Sequence, residues 1–223
     1  MTGLKFFVGT VIALVAGLVI GYYLPIKGTV PAVNQAPQII SGVSESQVSF
    51  KSAMRKLWED HITWTRLYIV EKAGGLKGAD ATAARLLKNQ EDIGNAVKAY
   101  YGASAGDQLT ALLKVHITGA VDVLNAAIAN DKKKLDAASA AWYKNADDIA
   151  VFLSTANPES WPLASMKAGM SMHLDLTLAE AVDELKKDYN ASVADYDKVH
   201  EHILGLADLL STGIIKQYPD KFK

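Results

Sequence analysis

Histidine and aspartate recur at a near-constant interval in the last three quarters of this chain. His61, Asp92, His116, Asp148, His173 and His202 are separated by 31, 24, 32, 25 and 29 residues. Imidazole nitrogen and carboxylate oxygen are the donors with which helical bundles hold transition metals, on side chains that project inward from facing helices. At most four of the six can share one ion. Three or four nitrogens with one or two carboxylates suit zinc, iron, manganese or copper, without choosing among them. Met166, Met170 and Met172 precede His173, and soft thioethers beside imidazole would suit copper. A non-covalent haem is the less favoured cofactor, with His116 and His173 as its best-spaced axial pair.

The same residues also have a purely structural reading. A histidine on an apolar helix face is commonly a hydrogen-bonded core residue, and Asn89 and Asn145, three residues before each Asp, could supply its partner. Asp92 and Asp148 stand beside the apolar seam, because Ile93 and Ile149 take the apolar place. Glu180 and Glu184 read as a solvent-facing acidic stripe, and Arg66 as half of a surface salt bridge. Trp58, Trp64, Trp142 and Trp161, with the methionines, read as core. The chain has no cysteine, which excludes thiolate ligation and disulfides. There is no CxxCH, HExxH, phosphate-binding glycine loop or nucleophile elbow, so no reaction is assigned. With 23 basic and 24 acidic residues and no long basic block, nucleic acid is not an expected partner.

These residues need a scaffold that brings them to one height. Leu57, His61, Trp64 and Tyr68 follow a four-three-four spacing, and Leu109, Leu112, His116, Ala120 and Val123 continue that helical rhythm. Glycine-rich, proline-rich or polar breaks near residues 73–80, 100–107, 129–136, 156–162 and 186–193 divide the region into six helices. The expected spans are 48–73, 80–100, 106–129, 134–155, 162–187 and 192–216. The hexapeptide KNQEDI beginning at Lys88 returns as KNADDI at Lys144 and more loosely as KVHEHI at Lys198, while HIT at His61 returns at His116 and as HLD at His173. The chain therefore reads as three helical hairpins, each with a histidine on its first helix and a polar hexapeptide on its second. Similar distances to each turn would place all six candidates in one slab of an all-α, antiparallel bundle.

Residues 6–24, FFVGTVIALVAGLVIGYYL, carry no charge across 19 positions, enough to cross a hydrocarbon core of roughly 30 Å as a helix. The expected organisation is an N-terminal membrane anchor at 1–27, a linker at 28–47 and a bundle domain at 48–223. Tyr22 and Tyr23 at the end of the span favour a retained anchor over a cleaved signal. The expectation is a single-pass protein of the cell membrane with its domain on the extracytoplasmic side.

The set WEDHITWTR, NQEDIG, AYYG, FLSTANP and GIIKQYP, spread over residues 57–222, resembles a group of uncharacterised bacterial and archaeal helical proteins of the W-x-x-H-x-x-W-T-R type. The resemblance implies no activity. On the residues alone the leading reading is a membrane-anchored metal-binding bundle, in metal handling or as an accessory subunit of a membrane complex. The alternative is a structural or sensory module with a polar layer and no metal. Gly17 and Gly21 form a G-x-x-x-G pattern that lets two membrane helices approach closely, so the span is also a candidate surface for a homo-oligomer or another subunit. Replacing both glycines with Leu should reduce recovery of that complex in mild detergent, and unchanged association would remove this role.

Overall fold

A computed structural model of the chain describes residues 42–223. The expected anchor at 1–27, and the linker up to 41, lie outside the described residues. Six helices follow: α1 (Glu45–Ala73), α2 (Ala79–Tyr101), α3 (Ala103–Ile128), α4 (Lys132–Ala156), α5 (Leu163–Lys186) and α6 (Tyr189–Gln217), with a short 3-10 turn at Pro219–Phe222. No strand occurs among the described residues. The expected spans agree with these within three residues at every boundary.

Helix limits follow local chemistry. Ser44, Asp131 and Asp188 each accept a hydrogen bond from the backbone N–H three residues on, at 3.3, 3.1 and 3.1 Å, and so cap α1, α4 and α6. The Ser44 cap corrects the linker, whose last residues, 45–47, belong to α1. Asn130 and Lys187 adopt left-handed φ of 54° and 64° and end α3 and α5.

Each helix packs on its neighbours in sequence, and α6 returns to α1, so the bundle closes into a ring; α1 also touches α5. The connections are only one to six residues long, which makes successive helices antiparallel and the three expected hairpins real neighbours. The main core runs through all six helices, from Met54 and Trp58 to Leu210 and Ile214. Phe50, Tyr100 and Phe222 pack with centroids 5.0 to 5.4 Å apart and close one end, and Ser44 Oγ donates to the Phe222 carbonyl there. Tyr68, Ile69, Ala79 and Leu124 form a second, smaller cluster. Of the described helices, α3 is long and apolar enough to cross a membrane; it packs between α2 and α4 and carries His116 in its buried face.

The α2/α3 contact is set by backbone approach. A Cβ on Gly94 would stand 1.9 Å from Thr110 Oγ1 and 2.6 Å from the Gly106 carbonyl, whereas Gly205 on α6 has nothing within 4 Å. Gly94→Ala should therefore lower stability by about 1–3 kcal/mol through overpacking against a backbone that cannot yield. Gly205→Ala should raise it by about 0.5–1 kcal/mol by restricting the unfolded chain. Denaturant titration of both variants checks the pair, and equal shifts would contradict the close approach.

Candidate metal centre

Three of the candidates converge. His61, His116 and His173, one from each odd-numbered helix, are 2, 3 and 5 % exposed and each offers a ring nitrogen within 4.8 Å of the other two. Their ring centroids form a near-equilateral triangle of 6.3, 5.8 and 6.0 Å. They meet because each stands about two to three turns into the stretch where α1, α3 and α5 face the interior, next to Trp58 and Ile62, Leu113 and Ile117, and Met170 and Leu174.

The other candidates stand elsewhere. Asp92 lies 3.4 Å from Lys88 and 3.8 Å from Arg85, and Asp148 lies 2.7 Å from Lys144, all on the outer face. The repeated hexapeptide explains this correction to the six-residue slab. Its Lys and Asp form an outward pair four residues apart, while its Asn and Ile, also four apart, share the buried face. His202 is partly buried and stacks on His173 at 6.0 Å and 15°, outside the triangle. Met172 is exposed, so the expected thioether cluster does not form around His173; Met166 and Met170 are core. A haem between His116 and His173 has no slot, because His61 and Trp142 occupy the space 6.3 and 5.5 Å from His116.

The even-numbered helices support the triangle through one repeated contact. Asn89 Nδ2 donates to the Leu57 carbonyl at 3.0 Å, Asn145 Nδ2 to Leu112 at 3.1 Å, and His202 Nε2 to Gly169 at 3.0 Å. Each acceptor lies four residues before a triad histidine. In the third hairpin Val199 occupies the Asn position of the hexapeptide, and His202 supplies the donor from one turn further on.

That contact also fixes a tautomer. With its Nδ2 committed to Leu112, Asn145 turns Oδ1 to His116 Nδ1 at 3.1 Å, so Nδ1 carries the proton and Nε2 keeps its lone pair. Gln90, which the sequence reading passed over, plays a related part. Its Nε2 donates to the Leu86 carbonyl at 2.8 Å and to Asn89 Oδ1 at 3.1 Å, leaving Oε1 as the free end beside His61. Gln90 Oε1, His61 Nδ1 and His173 Nδ1 are all buried without a hydrogen-bond partner among the described residues.

Burial pushes His61 down to about 3, with help from His116 and against Gln90, and pushes His116 down to about 4 against Asn145. His173 is driven well below its ordinary range by burial and by the three other imidazoles. All three are neutral near pH 7, the form that binds a metal.

Further along the bundle, Glu180 and Glu184 are 1 and 8 % exposed, not an exposed stripe. Arg66 Nη1 donates to Glu180 Oε1 at 2.8 Å and to Ser192 Oγ at 3.1 Å, and Ser192 Oγ donates to Glu184 Oε2 at 2.8 Å. Arg66 is thus part of a largely buried network. Burial raises Glu180 to about 7 despite Arg66. No protein-family model, curated protein or solved structure matches the chain.

The pH dependence follows with a defined sign. Unfolded histidine titrates near 6.5, so below that pH the unfolded chain takes up protons that the folded triad refuses. The triad's stability is complete above about pH 6.5 and falls as the pH drops, by up to about 1.4 kcal/mol per pH unit for each histidine. Glu180 acts oppositely between about 4.5 and 7, because the folded form holds the proton there. His202, also lowered by burial, adds to the triad, so metal-free protein should lose stability between pH 6.5 and 4.5 with a slope of about two to three histidines. A flat profile by denaturant titration across this window would contradict a neutral, buried triad.

Proposed function

We propose that His61, His116 and His173 form a mononuclear transition-metal centre in a membrane-anchored, extracytoplasmic helical bundle. Its role is metal handling, or service as the metal-bearing subunit of a membrane complex. The observation that carries this reading is the convergence of three neutral imidazoles, from three different helices, within 4.8 Å in a closed interior. A tetrahedral ion with Zn–N bonds of about 2.0–2.1 Å needs nitrogens about 3.3 Å apart, which each ring reaches by moving inward less than about 1 Å. Three protein ligands leave a fourth position open to an exogenous group. With Asp92 and Asp148 on the outer face, the donors are all nitrogen, which favours zinc or copper over manganese. The membrane placement rests on the composition of residues 6–24.

The structural alternative is supported by the Asn145–His116 bond, which fixes helix register whether or not an ion binds. The two are separated by metal content and by stability. Protein purified without chelator should carry about one equivalent of zinc or copper, and chelation should lower its melting temperature while hardly affecting His116→Ala. Less than about a tenth of an equivalent, unchanged on reconstitution, would remove the centre. In that case His116→Ala should still cost on the order of 1–3 kcal/mol, because Asn145 Oδ1 loses its donor and a cavity remains.

A further inference from the structure

We propose that the cavity one helical turn above the histidine layer is a binding site for a small, neutral, mostly apolar molecule bearing one hydrogen-bond acceptor. The cavity has a volume of about 320 Å³. Thr65, Ala120 and Thr177 in its wall each follow a triad histidine by four residues, so its floor lies about 6 Å along the helices from the imidazoles. It opens beside Asp136, exposed on the first turns of α4.

The chemistry of the wall selects the occupant. It is almost wholly apolar, and the hydroxyls of Thr65 and Thr177 are spent at 2.8 Å on the carbonyls of His61 and His173 in their own helices. Among the described residues no basic side chain lines it, so an anionic head group would be buried unpaired. Three donors remain in the wall: the hydroxyls of Tyr68 and Ser139, and the indole of Trp142, 3 % exposed, whose Nε1–H has no acceptor among the described residues. An apolar cavity of about 150 Å³ holds benzene, so this one suits a molecule on the order of twelve carbon atoms. Its acceptor would meet one of these wall donors, in a site of ordinary ligand-pocket size. The inference rests on the metal-centre reading only for what the bound molecule lies against.

The test uses the full chain stripped of metal and two probes of about that size, 2-acetylnaphthalene and the anion 2-naphthoate. Equilibrium dialysis should show one saturable site for the ketone and at least about tenfold weaker binding of the carboxylate. Ala120→Leu and Ala181→Leu fill the cavity from α3 and α5. Each should weaken the ketone about tenfold or more without lowering the melting temperature, and if one variant fails to fold the other gives the result. No saturable ketone binding, equal affinity in a folded filled variant, or naphthoate binding as tightly as the ketone overturns the proposal. Because the protein is metal-free, ketone binding survives if no metal centre exists, and a loaded metal centre without ketone binding sinks this inference alone.

Discussion

Burying three imidazoles with ring centroids 5.8 to 6.3 Å apart constrains everything around them, because none can hold a proton there without losing its water beside two similar rings. Each neutral ring still has two nitrogens that need partners. Among the described residues six buried side-chain atoms lack one, and five of them belong to Trp58, His61, Gln90, Trp142 and His173, in or against this layer. An orphaned buried polar atom costs on the order of 1–3 kcal/mol, so such a concentration is not the pattern of an indifferent core. Either the layer takes up something that satisfies these atoms, or the rest of the bundle offsets them.

The ring of helices makes the layer possible by dividing labour. Odd-numbered helices present the histidines, and even-numbered helices present a donor to the carbonyl one turn earlier on the partner. That carbonyl already accepts an intrahelical bond, and its second lone pair takes the side-chain donor. The hairpins are not equal, however. The second has a complete relay from Leu112 through Asn145 to His116, the first inserts Gln90 between Asn89 and His61, and the third replaces Asn with Val199 and leaves His173 Nδ1 bare. One histidine is therefore oriented by its support, and two are held mainly by packing.

The helices were readable because their signals are local: amphipathic spacing between glycine, proline and polar breaks. The triad was readable from the recurrence of His at similar heights on alternate helices. Asp92 and Asp148 were over-read, since residues three or four apart share a face while a neighbour one step from Ile93 or Ile149 turns out toward its lysine. The signal for Asn89 and Asn145 lay in the same hexapeptide, as the residues four before those buried isoleucines. Glu180, Glu184 and Arg66 could not be placed from sequence. Whether a carboxylate on an amphipathic helix meets water or an arginine depends on the neighbouring helix, and Ser192 on α6 completes that network from another hairpin.

Charge balance links that network to the triad. Three neutral nitrogens do nothing to neutralise a divalent ion, so compensation must come from an anionic fourth ligand or from the surroundings. Glu180 lies seven residues beyond His173 on α5, about 10 Å along the helix, and sits near 7, poised between its two states. Two positive charges at that distance, at an effective dielectric constant near 20, would favour its carboxylate by about 3 kcal/mol. Arg66 would then be the counter-ion of an ionised Glu180, whose burial otherwise outweighs Arg66's pull. Were the triad to take up an ion as proposed, Glu180 would be the group that answers the added charge by giving up its proton.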